Sequence, residues 1–238
     1  LFRNEFHLHP LASADLFVPC GGRPQSVNMS NVKRMFKEDG TPKFKFIVEG
    51  ANLFLTQDAR TILEKAGVIL YRDASANKGG VCSSSLEVLA ALAMTEEEHN
   101  ELMLVKDPKN PPKFYQDYVR DIQTVIERNA SREFEAVWRE HERSGVARSL
   151  LSDQISLKIN KLNDEVEAST LYQNEQLRLS VMRQIFPKTL LNLKPVEELV
   201  ARLPVNYARA MFNAYLASSF VYRYGLHPSE FAFFEFVN

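Results

Sequence analysis

Two short polar stretches hold the residues of this chain best suited to chemistry. Glu49-Gly50-Ala51-Asn52 sets a carboxylate and a side-chain amide around two small residues. Asn77-Lys78-Gly79-Gly80-Val81 lies 25 residues on, counted from one asparagine to the other, and sets a second amide and an ammonium group beside a glycine pair. Small residues let a backbone come close to a ligand. Each stretch follows a short apolar run, Phe46–Val48 for the first and Val68–Tyr71 (ending in Asp73) for the second. A third run, Ala14–Val18, opens into Pro19-Cys20-Gly21-Gly22-Arg23-Pro24. Gly and Pro also dominate ordinary turns, and for any one loop that is the simpler reading. For three loops at one sheet edge it is weaker, and the pattern predicts nucleotide binding.

The elements between these loops place them at such an edge. Gln57–Lys65 reads as a helix, with Thr56 at its N-cap, Asp58 in its first turn and Gly67 where the chain leaves. A strand, helix and strand of this size close as a right-handed crossover between parallel strands. In open parallel sheets ligands sit beyond the carboxyl ends of the strands. Ser83–Ala93 reads as a helix with Leu86, Leu89, Ala90 and Ala93 on one buried stripe. An acidic patch, Glu96–Glu98, and a proline-marked connection over 107–112 then separate off a helical remainder. Its expected helices cover 112–142, 152–162, 171–185, 195–203 and 207–224, with Pro187 and Pro195 as punctuation and Gly225 as a stop. Phe231, Phe233, Phe234 and Phe236 are too apolar to be left in water, and predict packing on a neighbouring domain or subunit or the start of a further element. The fold class expected is α/β: half of a doubly wound parallel sheet over residues 1–95, followed by an all-helical region over 96–238.

Composition narrows the function further. With 238 residues, 45% apolar and 25% charged, this is an ordinary globular composition. A formal net charge of -1 gives no reason to expect nucleic acid or an anionic membrane, and no run approaches the length needed to span a bilayer. Cys20 and Cys82 do not make a disulfide framework and fit free thiols in a reducing, intracellular compartment. His7 and His9 lack a third ligand nearby, and no metal site is expected. The chain starts at Leu1, and its amphipathic opening over Phe2–Leu11 reads as the end of something, which suggests a fragment.

The two loops, together with Pro19–Pro24, carry a resemblance. A glutamate-glycine-alanine-asparagine loop, followed at this separation by an asparagine-x-glycine-glycine-valine loop and then serine, resembles the amino-acid dehydrogenases, specifically glutamate dehydrogenase. Lys78 stands where that family usually has alanine. This departure, the loop at 19–24 and the long helical extension look like the large-subunit, NAD-specific enzymes of the fungal type. The resemblance is specific through about residue 95 and less so beyond. It implies a Rossmann-like half-sheet and NAD as cofactor. Pro19, Cys20 and Gly21 would lie along the ribose and pyrophosphate, Asn52 at the nicotinamide riboside, and Asn77 at the nicotinamide and the amino-acid end of the substrate. Val81 and Ser84 would line the substrate pocket, with the Ser84 hydroxyl donating to the side-chain carboxylate of L-glutamate. The resemblance further implies oxidation of L-glutamate to 2-oxoglutarate and ammonia, a homo-oligomer (a tetramer), an upstream catalytic domain on the same polypeptide, and a mitochondrial rather than cytoplasmic setting.

No G-x-G-x-x-G follows a strand in this sequence, and no lysine sits in the family's catalytic context. No catalytic residue is therefore assigned here, and the chain alone is expected to be inactive. Two readings stand: part of a glutamate dehydrogenase, or a non-catalytic assembly or regulatory module derived from a dehydrogenase half-domain.

Overall fold

The computed structural model describes residues 5–237. The amphipathic opening therefore falls partly outside the described residues. Within them, Phe6–Leu8 forms a 3-10 turn that buries His7 and Leu8. The chain gathers into two compact units. One takes the residues through Lys78 together with Glu133–Ile155; the other takes Gly79–Arg132 and the stretch from Ser156 onward.

The first unit is built on a parallel sheet of β1 (Ala14–Phe17), β2 (Phe44–Val48) and β3 (Ile69–Tyr71), in that order. Leu16 stands beside Phe46, and Ile47 beside Leu70, so the loops that follow each strand leave from one edge. Helix α1 (Gln57–Lys65) joins β2 to β3 as expected. The Thr56 side chain accepts from the Ala59 N–H at 3.4 Å, and Gly67 leaves in a left-handed conformation (φ 91°). Helix α1 buries Ala59, Arg60 and Leu63. Ala59 and Leu63 join Val27, Ile47, Leu55 and Leu70 in the core. Between β1 and β2 the chain runs through irregular backbone and a 3-10 turn at Val32–Met35.

The expected loop at 77–82 is different in the structure. Asp73–Ala76 forms a short helix, α2, and helix α3 starts at Gly79, four residues before the expected Ser83, and runs to Ala93. Glycine weakens a helix interior by ~1 kcal/mol relative to alanine, but here the pair occupies the first turn, where the backbone N–H groups have no intrahelical partner in any case. The buried stripe of Leu86, Leu89, Ala90 and Ala93 holds the rest of α3.

The second unit is helical among its described residues. After α4 (Glu96–Leu102), capped by Thr95, come α5 (Lys113–Ser144) and α6 (Arg148–Glu167), each of which gives residues to both units. Helices α7 (Glu175–Ile185), α8 (Lys188–Leu193), α9 (Val196–Arg202) and α10 (Val205–Tyr224) follow. Pro187, Pro195 and Pro204 take the N-cap positions of α8, α9 and α10, and Gly225 ends α10 at φ 79°. Leu89, Tyr118, Met182, Leu190, Leu199 and Phe212 anchor one apolar cluster. Of the phenylalanine-rich tail, Phe233 and Phe236 on α11 (Ala232–Val237) pack on Phe220, while Phe231 and Phe234 are exposed. Among the described residues no helix is long and apolar enough to cross a membrane.

Candidate functional site

Beyond the carboxyl ends of β1, β2 and β3 the three loops meet. The Ala51 N–H donates to Pro19 O at 2.6 Å, joining the first loop to the second. The Asn77 Nδ2 donates to Asn52 Oδ1 at 2.8 Å, joining the second to the third. Asn52 is exposed and Asn77 half-buried, so the paired amides keep donor and acceptor capacity for a ligand. Of the first loop, Pro19 is buried and Cys20 and Gly21 are exposed. Five of the seven residues singled out from the sequence thus share one edge.

The glycines of these loops separate into two kinds. A Cβ on Gly50 would stand 3.2 Å from both Cys20 Sγ and Pro19 O, and one on Gly22, at φ 125°, would meet Phe54 at 2.9 Å. Those two are required by packing. A Cβ on Gly21 or Gly80 would meet nothing within 4 Å, and neither glycine has positive φ. Crowding and backbone conformation give no reason for glycine there, whereas close approach of a ligand does.

Beneath the loops lies a buried ionic cluster that the sequence reading missed. Arg60, from the middle of α1, donates from Nε to Glu49 Oε1 at 2.7 Å and from Nη2 to Glu49 Oε2 at 2.9 Å and Asp73 Oδ1 at 3.2 Å. Glu49 is fully buried, Arg60 and Asp73 nearly so. Burial pushes the Asp73 carboxyl up, but the N–H groups of Leu53 and Ala74 and the Arg60 and Arg72 guanidinium groups outweigh it and hold the carboxyl below its usual range. Asp73 also pairs with Arg72, which reaches Asp153. The available signal was an arginine on the same helix face as Ala59 and Leu63, with an acid at the end of each flanking strand. Lys78, next to Asn77, pairs with the buried carboxylate of Glu133 on α5.

Val81 and Ser84 lie in the first turns of α3, both exposed; the Ser84 hydroxyl donates to Val81 O at 3.1 Å. The helix begins too early for Ser84 to be its N-cap. They belong to the second compact unit, the other five to the first. Among the described residues no group of three or more His, Cys, Asp or Glu side chains is gathered to hold a metal ion.

Residues 3–145, which carry all three loops, match the glutamate/leucine/phenylalanine/valine dehydrogenase family. The chain belongs to that family. Beyond the matched span, similarity to individual members covers the whole chain. It is 53% identical over 237 residues to a glutamate dehydrogenase 2 from Dictyostelium discoideum, and 49% over 237 residues to an NAD-specific glutamate dehydrogenase from Neurospora crassa. An NAD-specific glutamate dehydrogenase from Saccharomyces cerevisiae is 39% identical over 243 residues. These alignments take in 99–100% of the chain but only 22–23% of each relative, so the chain spans less than a quarter of the length of these family members. No solved structure matches it.

Proposed function

We propose that this chain contributes the nicotinamide-side loops and part of the substrate pocket of an NAD-dependent glutamate dehydrogenase, which converts L-glutamate to 2-oxoglutarate and ammonia. The observation that carries this reading is the Asn52–Asn77 pair at the carboxyl edge of a parallel sheet. NAD supplies the hydride acceptor; the chain's own groups bind and orient it. Two side-chain amides match a carboxamide and ribose hydroxyls, which need both donors and acceptors. The uncrowded backbone at Gly21 suits close approach of a phosphate or ribose, and Cys20 and Pro19 form the rest of that loop. Membership of the family and relatives named NAD-specific support the cofactor assignment. Val81 and Ser84 serve the substrate, the Ser84 hydroxyl exchanging its intrahelical acceptor for the side-chain carboxylate of glutamate. The glycine fingerprint and acid–base residues of the enzyme lie on another part of the full-length polypeptide, whose assembly is a homo-oligomer, and its setting is mitochondrial.

Steady-state kinetics of the full-length protein test the assignment. Asn52→Ala and Asn77→Ala should each slow turnover ~10²-fold with an unchanged melt, since small errors in hydride geometry are expensive. Ser84→Ala should raise the KM for glutamate by the equivalent of ~1.5–3 kcal/mol while leaving NAD affinity alone. The isolated chain, run alongside, should form no NADH. A lowered melting temperature with near-normal rates would reduce the asparagines to turn formers, and turnover by the isolated chain would overturn the division of labour.

A further inference from the structure

Two amides in contact do not explain the backbone between them. Leu53, immediately after Asn52, sits in the left-handed region at φ 55°, which is unfavourable for a residue with a Cβ. The residue is 57% exposed, so packing does not hold it there. What does hold it is on the backbone. Its N–H donates to Asp73 Oδ2 at 2.8 Å, and its carbonyl accepts from the Gln25 N–H at 2.7 Å. Gln25, at φ 56°, is the one other non-glycine residue with positive φ among those described. Asp73 is in turn fixed by Arg60, which grips Glu49 with two nitrogens at the start of the same loop. Glu49 Oε2 also accepts from the Leu55 N–H at 3.3 Å, on the far side of Leu53. One guanidinium thus reaches the acids at the ends of both β2 and β3, and the strained peptide lies between its two carboxylates. Past Asn77 the chain is held again, by Lys78 on Glu133.

A buried ion cluster is often no more stabilising than apolar packing of the same volume. What this cluster provides that leucines could not is a fixed acceptor for the Leu53 N–H. Strained backbone persists only where its surroundings over-determine it, and such places gather at working sites.

We propose that Arg60 is a positioning residue of the cofactor site: through Glu49 and Asp73 it locks Leu53 in its left-handed conformation and so sets Asn52 against Asn77. The inference rests on the cofactor reading of those two asparagines. It is tested in the full-length protein with Arg60→Lys, which keeps the charge but loses the two-pronged grip, and with Asp73→Asn, which keeps an acceptor for Leu53 but loses the ionic partner. Each is combined with Asn52→Ala, and kcat, the KM for NAD and the melt are measured. Arg60→Lys should lower kcat/KM for NAD at least tenfold. Added to Asn52→Ala, it should cost less than a further twofold, because both changes act through one side chain. Asp73→Asn, the variant to use if Arg60→Lys does not fold, should give the same non-additivity. A cluster that only stabilises the fold predicts a lower melting temperature, unchanged kcat per folded site and losses that multiply; that result overturns the proposal. If Asn52→Ala alone leaves NAD kinetics untouched, the cofactor reading fails and the brace with it. If Asn52→Ala is impaired but Arg60→Lys is not, the brace alone fails.

Discussion

The sheet unit and the helical unit bury different chemistry. Of the buried polar and charged residues described, His7, Lys43, Glu49, Arg60, Asp73, Ser75, Glu133, Glu140, Ser149 and Ser152 all belong to the sheet unit, and Asn213 alone to the helical one. In the helical unit several polar side chains serve helix ends instead. Thr95 and Glu98 form a capping box, Asn174 caps α7, and three prolines start helices where no N–H is needed. Its interior is aliphatic and aromatic. Burying charge is costly unless each charge is paired, and a unit held by packing alone would gain nothing from it. Glu49, Arg60 and Asp73, with Glu133 on Lys78, tie down the loops at the carboxyl edge of the sheet, so there the sheet unit uses buried charge to fix backbone geometry. The helical unit is built for packing.

The sharpest break of this contrast comes from truncating one residue in each core. Arg60→Leu leaves two buried carboxylates short of their partner and should cost ~3–5 kcal/mol. Leu199→Ala, in the helical cluster, should cost ~2–5 kcal/mol as a cavity. The two differ in rescue: adding Glu49→Leu to Arg60→Leu should recover part of the stability, because one of the two stranded carboxylates is removed and the other, Asp73, keeps Arg72, whereas no second truncation refills a cavity. Denaturant titration of the four proteins checks this. A cost below 1 kcal/mol for Arg60→Leu would mean the cluster is solvated and the contrast unfounded.

A smaller effect divides the glycines. Gly50→Ala should destabilise by ~1–3 kcal/mol, because its Cβ meets a backbone oxygen that cannot yield easily. Gly21→Ala should change the melt by less than ~0.5 kcal/mol, yet raise the KM for NAD in the full-length protein. Equal melts for the two variants, or an unaltered KM for Gly21→Ala, would remove the distinction between packing glycines and ligand glycines.

The mildest test is acid. Burial lowers the His7 imidazole from 6.5, against a backbone hydrogen bond with Ser26. The unfolded chain therefore takes up that proton first, and the stability is full above pH 6.5 and drains away as pH falls towards the folded value. Asp73 is held below 3.8, so its contribution is intact above that pH and is lost beneath it. Both groups are in the sheet unit. Of the shifted carboxylates of the helical unit, Asp117 sits in an exposed pair with Lys113, worth little in water, and Glu98 in a half-covered pair with Lys194; both are carboxylates held below their usual range and stay charged where His7 titrates. Hydrogen exchange should accordingly show Leu70 losing protection as pH falls below 6.5 while Leu199 keeps it, and His7→Phe should flatten that change. Parallel loss at both leucines would show that the units respond to pH as one.

By itself the sequence determined what depends on neighbours along the chain. The capped helix Gln57–Lys65, the parallel strands on either side of it, the stripe on α3 and the proline-started helices follow from periodicity, caps and breakers, all local interactions. The loop motifs pointed to the family and, each separately, to Asn52 and Asn77; that the two side chains meet is a finding of the fold. Tertiary structure decided the rest. That Gly79 and Gly80 begin a helix depended on the apolar stripe many residues later outweighing their low propensity. That Gly50 is needed for packing while Gly21 is not depended on which atoms stand over them. Of the Arg60 cluster the sequence held only a faint sign, an arginine on the buried face of its helix, because Arg60 and Asp73 look like ordinary surface charges at their own positions. Only the crossover from β2 to β3 brings them together and removes their water, and burial and pairing are properties of the folded chain.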